Sequence, residues 1–277
     1  SASISSVQFT LVDLDPSDGV TPSFSFSPDQ GETRYALFLQ DAASGSFKMP
    51  SEMASGTFSV FDQSVSSNVG VASGSVLLNG TELIASGVAN GSGSYSAAVS
   101  TGDQLGSPTG NVTLSSGSAL IIDVTYSLSA SASNELVSSC ALGSVCPYEE
   151  MALASVKADL TYTYQTNNSF VAHTDVFNDE LRAAASAQTI GQVMVYNPDT
   201  DTYDVVDSPV AAISSEIKST TGSFRSVFTN ASGFSQVASL TIEVAASGFG
   251  PAVQAVPEPS SFALMGLGVV GLAFARR

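Results

Sequence analysis

The feature that most limits what this chain can become is an alternation of apolar and polar residues with a period of two, recurring from end to end. Leu120, Ile122, Val124, Tyr126 and Leu128 interleave with Asp123, Thr125, Ser127 and Ser129. Successive side chains of a strand point to opposite faces, so this stretch predicts a strand with one buried face. The pattern returns at Val156, Ala158, Leu160, Tyr162 and Tyr164 against Lys157, Asp159, Thr161 and Thr163, and again at Leu240, Ile242 and Val244 against Thr241 and Glu243. Shorter candidates run from Val7 to Leu11, Tyr35 to Leu39, Thr57 to Phe61, Val76 to Leu78, Tyr95 to Val99, Gln192 to Tyr196 and Ser223 to Phe228. Asp18-Gly19, Asn79-Gly80 and Asn90-Gly91 supply turn chemistry between them. The expectation is an all-β chain folded as an antiparallel β-sandwich. Asp179 to Ala187, DELRAAASA, is rich in helix formers and predicts one short helix among the strands.

Alternation continues on both sides of the Ser-rich stretch from Ser129 to Ser139, so residues 1–246 read as one sandwich domain, with one or two sub-sheets left open. From residue 247 to 256 the alternation stops and Gly and Pro appear, as in a linker. SASISSVQFTL at the N-terminus has the alternation needed to pair with a sheet edge, within the chain or on a neighbour. The opening at Ser1 without Met fits a chain whose signal peptide has been removed. With 43% apolar residues the chain has the means to fold, while 8 basic against 25 acidic residues give a net charge of −17. That charge repels phosphate backbones and excludes nucleic acid as a partner.

From Val256 the chain reads VPEPSSFALMGLGVVGLAFARR: the motif Pro257, Glu258, Pro259, then an uncharged run from Ser260 to Ala275, then Arg276 and Arg277. This order resembles the PEP-CTERM sorting signal of Gram-negative bacteria. The resemblance implies export, transient engagement of the membrane and of exosortase through residues 257–277, and delivery to the outer surface or an exopolysaccharide matrix. Sixteen uncharged residues as a short apolar C-terminal helix would measure about 24 Å, less than the roughly 30 Å hydrocarbon core of a bilayer. The Arg pair would hold the C-terminus on the cytoplasmic side and leave the β domain outside.

Little else in the chain points to chemistry. His173 is the sole histidine, and although Asp175 shares its strand face, no G-x-S-x-G turn supplies a nucleophile. Carboxylates are plentiful, but no pair stands out as the acid and base of a glycosidase, and the expectation is a protein that is not an enzyme. Two acidic runs, Asp13, Asp15 and Asp18, and Asn197, Asp199, Asp201 and Asp204, have alternate oxygen ligands suited to calcium. Both lack the mid-loop Gly and terminal Glu of an EF-hand, and both read equally as turns. Apart from calcium no cofactor is expected. Five N-x-S/T sequons begin at Asn79, Asn90, Asn111, Asn167 and Asn230 and follow from composition alone.

Three functions compete at this level. A self-assembling structural or adhesive protein, forming homo-oligomers or filaments in a biofilm matrix, fits best. A carbohydrate-binding module held in exopolysaccharide needs exposed aromatics, yet the chain has no Trp, and Tyr126, Tyr162 and Tyr164 fall on core positions. A secreted hydrolase rests only on the abundance of carboxylates. Cys140 and Cys146, the two cysteines, are six positions apart across a Gly-containing loop, a spacing that permits a disulfide. Closing so short a loop stabilises by only about 2 kcal/mol. Non-reducing peptide mapping of freshly secreted protein should recover the two joined; two free thiols would reject the bridge.

Overall fold

The computed structural model describes residues 1–27, 31–58, 65–91, 93–103, 110–133, 149–166, 169–186, 190–197, 202–209 and 215–250. In chain order the strands are β1 (Ala2–Asp13), β2 (Phe24–Phe26), β3 (Gly31–Asp41), β4 (Ser46–Lys48), β5 (Ser51–Ser55), β6 (Val65–Val69), β7 (Ala72–Asn79), β8 (Glu82–Ala89) and β9 (Gly93–Asp103). There follow β10 (Val112–Leu114), β11 (Ser118–Ser133), β12 (Glu149–Thr166), β13 (Ser169–Ser186), β14 (Ile190–Asn197), β15 (Thr202–Pro209), β16 (Ser215–Asn230) and β17 (Gln236–Phe249). Among the described residues there is no helix.

The strands form a six-stranded sheet, β16-β11-β1-β8-β7-β6, and a larger sheet, β13-β12-β17-β9-β3-β4, which β5 joins at β3 and β10 joins at β17, carrying β2 with it. Strands β14 and β15 pair with each other. All the pairings recorded are antiparallel. The two large sheets face each other across one core, in which Leu120, Ile122, Val124 and Leu128 meet Val156, Leu160, Leu240, Ile242 and Val244. Burying each such side chain stabilises by about 2 kcal/mol, so the alternation seen in the sequence is what holds the sheets together. At one end the core narrows to alanine: Ala130 and Ala132 pack with Ala152, Ala183 and Ala185. At the other end Phe9, Phe24, Phe26 and Phe58 form a cluster with ring centroids 5.4–5.8 Å apart, edge-to-face except for the tilted pair Phe9 and Phe24.

The N-terminal strand pairs within its own chain, between β11 and β8. The Ser1 ammonium donates to the Ser129 carbonyl at 2.6 Å. The helix expected at Asp179 to Ala187 is instead the end of β13 as far as Ser186, with Ala187 outside the described residues. Ala183 and Ala185 face the alanine end of the core, whereas Glu180 and Arg182 point outward. Cross-strand packing on β12 therefore overrides helix propensity. Strand β17 runs to Phe249, three residues past Ala246 and into the stretch that its composition marks as linker.

Strands β13 and β16 each close one sheet and lie side by side. The Glu216 carboxylate accepts the Ala184 N–H at 2.9 Å, and the Lys218 ammonium donates to the Arg182 carbonyl at 2.9 Å. Side chains thus occupy backbone groups that a foreign strand would otherwise pair with. Deeper in the seam the Phe177 and Phe224 rings stack at 4.2 Å, and the Tyr126 hydroxyl donates to Asp179 Oδ2 at 2.6 Å. Gly222 leaves the space that the Tyr126 hydroxyl fills; a Cβ there would collide with it.

Two of the sequon asparagines are structural. Asn111 is fully buried, its amide donating to Thr57 Oγ1 at 2.6 Å and to the Leu240 carbonyl at 3.0 Å while its oxygen accepts the Leu240 N–H at 2.8 Å. Asn230, also fully buried, donates to the carbonyls of Leu114, Ser115 and Phe234 and accepts from Ser232. Neither nitrogen is open to a glycan. Asn111→Ala strands several buried partners and should cost about 3 kcal/mol, lowering the melting temperature by roughly 6–10 °C. Asn79→Ala, on an exposed turn, should change stability by less than about 0.5 kcal/mol; equal losses at the two sites would contradict this assignment.

Burial, and then the hydrogen bond and charge of Asp179, push the Tyr126 hydroxyl up to about 12 from an ordinary 10.0. The folded state therefore holds this proton more tightly than the unfolded chain. The stabilisation is complete below pH 10 and is lost as pH rises through about 12. The stability difference between the natural protein and Tyr126→Phe, followed by denaturant titration, should be constant to about pH 10 and shrink above it; a pH-independent difference would show that the phenol does not titrate in this way.

Candidate functional site

At the end of the sandwich where β12 turns into β13 and β16 into β17, a crevice of about 360 Å³ is lined by Tyr162, Tyr164, His173, Thr229, Ala231, Ser232 and Gln236. Tyr162 and Tyr164 occupy successive inward positions of β12, and His173 lies directly across from Tyr162 on β13. The Tyr162 ring is buried against Phe228, with centroids 4.8 Å apart, and lies 4.9 Å from the imidazole of His173. Burial raises the pKa of the Tyr162 phenol, partly offset by a hydrogen bond with the Thr229 backbone. Tyr164 departs from its expected core position and is 37% exposed. Strand β17 pairs with β12 only as far as Tyr162, opposite Ala238, so at Tyr164 the recorded pairing continues on the β13 side alone, opposite Val171.

The opposite wall of the crevice is fixed by the Asn230 clamp, which holds the turn containing Ala231 and Ser232, and by Gln236 at the start of β17. Gln236 is only 9% exposed, and its buried Oε1 has no hydrogen-bond partner among the described residues. Such an atom carries a cost of about 1–3 kcal/mol. Sequence reasoning passed over Gln236, although it was within reach: the inward series Val244, Ile242, Leu240, extended back through Ala238, arrives at Gln236.

His173 Nε2 lies 3.0 Å from Asp175 Oδ1, which realises the one-face placement expected of the pair. The nearby Ser232 hydroxyl has Asn230 Oδ1 at 2.6 Å and the Phe234 carbonyl at 2.8 Å as acceptors for its one proton, and is committed away from the imidazole. The outer face of the larger sheet gathers Glu32, Asp159 and Glu243 beside Arg34 and Lys157. Arg34 pairs with Glu32 at 3.3 Å and donates to Ser100, and Lys157 stands opposite Glu243 in the strand register. This is a cross-strand charge ladder, with cations interleaved among its carboxylates.

The first acidic run is a set of turn caps. Asp13 accepts the Asp15 N–H, Asp15 accepts both the N–H and the hydroxyl of Ser17, and Asp18 accepts the Val20 N–H. The Ser17 hydroxyl and N–H together hold the Asp15 carboxyl below its ordinary range. Among the described residues no three acidic, His or Cys side chains converge as a metal site. In the second run Asn197 ends β14 and Asp204 lies in β15, while Asp199 and Asp201 lie outside the described residues. Cys140, Cys146, the predicted C-terminal helix, and the Pro257, Glu258, Pro259, Arg276 and Arg277 motif also lie outside them.

Residues 255–277 match the family model of the PEP-CTERM protein-sorting motif. The C-terminal tail is a PEP-CTERM motif. The protein is accordingly exported, and this tail is the part that exosortase recognises. No curated protein and no solved structure matches the chain. The described residues end at Gly250, just beyond the end of β17, whereas Gln236 and the aromatic crevice lie at the start of β17. Fourteen strand residues separate the two ends by roughly 45 Å.

If the orphaned Gln236 oxygen is a real cost, Gln236→Met should stabilise the ligand-free protein by about 1 kcal/mol, read from chemical denaturation. A loss of similar size would mean that the oxygen has a partner after all.

Proposed function

We propose that this is a non-enzymatic structural or adhesive protein of the outer cell surface or extracellular matrix, tethered or delivered through its PEP-CTERM tail and acting through contacts with copies of itself. The observation that carries the proposal is the polarity of the molecule. The sorting motif follows β17 in sequence, and on this reading the end of the sandwich where β17 finishes is turned toward the membrane and the aromatic end away from it. Support for self-association comes from large apolar side chains left exposed on strands at the flanks of the larger sheet. Phe47, Met49 and Met53 lie exposed on and beside β4 and β5, and Phe170 and Val176 lie on β13. Apolar side chains at opposite flanks favour head-to-tail contacts, which extend into open assemblies when the rotation does not close. The committed Ser232 hydroxyl and the charge-interleaved carboxylates support a role without catalysis.

Electron microscopy of extracellular material from the producing cells, immunolabelled for this protein, tests the reading. Labelled filaments or sheets that are lost in a Met53→Glu, Phe170→Glu double variant are expected. Dispersed monomers from the natural chain, exported and processed normally, would overturn it.

A second reading is favoured by the crevice itself: a neutral sugar unit stacked on Tyr164 with its hydroxyls donating to acceptors around Gln236. Affinity electrophoresis through gels containing dextran or galactomannan would show retardation of the natural protein that Tyr164→Ala abolishes. Equal mobility with and without polysaccharide would remove this alternative.

A further inference from the structure

The aromatic crevice holds two polar atoms whose hydrogen-bonding capacity is unused, and they are of opposite sense. Gln236 Oε1 is an acceptor with no donor among the described residues. The Tyr162 hydroxyl is the matching donor. Burial raises the pKa of this phenol and a bond with the Thr229 backbone lowers it; a hydrogen bond that lowers a phenol's pKa is one its oxygen accepts. The phenolic proton is thus left over, and among the described residues it has no acceptor. Tyr162 and Gln236 are 8% and 9% exposed, so both unmet groups belong to side chains more than nine-tenths buried.

An unmet donor and an unmet acceptor in one crevice call for a ligand that supplies both partners. The volume of about 360 Å³ lies within the roughly 300–1,000 Å³ of small-molecule sites. The surroundings set the ligand's charge. Residues 158–181 and 226–250, which form both walls, contain no Lys or Arg, so a carboxylate or phosphate entering here meets no basic side chain from them. Asp175, whose charge reaches the Tyr162 hydroxyl, accepts the His173 Nε2–H at 3.0 Å, so an ammonium entering here competes with the imidazole for it and loses its own hydration. A neutral group avoids both costs. Tyr162, Tyr164 and Ala231 make the lining rich in carbon, and Tyr164, being partly exposed, offers a ring to stack on.

We infer, resting on the reading of the crevice as a sugar site, that its ligand is an N-acetylated amino sugar, whose acetamido N–H donates to Gln236 Oε1 while its carbonyl accepts the Tyr162 proton. The acetamido methyl rests against Ala231 and the sugar ring stacks on Tyr164. A secondary amide carries one donor and one acceptor on opposite sides of a rigid plane, the complement of the two unmet atoms. Its methyl also covers apolar lining that a hydroxyl at the same ring position leaves in water. Gln236 needs only a turn of its terminal torsion, which is broad in glutamine, to bring the oxygen to the ligand. Without ligand that oxygen is a cost. With ligand it becomes a selector, because a substituent that cannot both donate to Gln236 and accept from Tyr162 leaves one of them unpaired.

Titration calorimetry of the full chain with three tetrasaccharides on one backbone tests this. Cellotetraose, chitotetraose with free amines, and its fully N-acetylated form differ only in carrying hydroxyl, ammonium or acetamido at the same ring position. The N-acetylated form should bind at least about tenfold more tightly than either of the others. Gln236→Met and Tyr162→Phe should each weaken its binding by at least about fivefold, with chemical denaturation showing that the variants fold. Should Gln236→Met fail to fold, Tyr162→Phe decides by itself, since it keeps the ring against Phe228. Equal binding of cellotetraose and the N-acetylated form would overturn the acetamido assignment and leave a sugar site standing. Tighter binding of the amine form would overturn it in favour of a cationic ligand, and unchanged affinity in both variants would overturn the roles given to Gln236 and Tyr162. Binding of none of the three would overturn it together with the sugar reading.

Discussion

The rest of the structure depends on the pairing of the first strand with the middle of the chain. Strand β1 lies against β11 in a register that joins Ala2 to Leu128 and Asp13 to Ser118, and it is the strand that connects β11 and β16 to β8, β7 and β6. Removing it would divide the smaller sheet into two pieces. It would also uncover Ile4 and Val7, both buried in the core. More than a hundred residues separate the partners of this pairing, so loop closure must precede any gain from it, a condition that slows folding and leaves apolar strands exposed meanwhile. For an exported chain that interval falls where the sandwich has yet to close and the apolar tail is already present.

The buried asparagines act on a smaller scale. Asn111 grips both backbone groups of Leu240, and Asn230 ties the β16–β17 turn to the end of β10. Together they fix the start of β17 and hence the wall of the aromatic crevice. The sandwich is thus rigid at the end where it presents Tyr164 and Gln236. At the opposite end, where β17 finishes, its core is built from alanine.

How far the sequence discloses this can be traced residue by residue. Leu120 to Leu128, Val156 to Tyr162 and Leu240 to Val244 were legible because each strand has one apolar and one polar face, and every inward residue named there is buried. DELRAAASA was misread because Leu, Ala, Glu and Arg favour helices locally, whereas the partner strand β12 that decides the matter lies outside any local window. Tyr164 was misplaced because periodicity gives a face but not the point at which the pairing with a neighbouring strand, here β17, stops. Asn111 and Asn230 stood out only as sequons expected from composition, because nothing local marks a side chain that satisfies backbone groups more than a hundred positions away. The PEP-CTERM tail was readable in full as a linear signal of motif, apolar run and basic end, which needs no fold to be recognised.

Native-state hydrogen exchange across a range of protein concentrations tests the central claim most directly. If β1 is an integral central strand of its own chain, the amides of Ile4 and Val7 exchange only through global unfolding, with the same free energy as those of Ile122 and Val124 and independently of concentration. Exchange of the β1 amides through a lower-energy opening, or protection that grows with concentration, would mean that this strand is detachable or is supplied by another molecule, and would contradict the account.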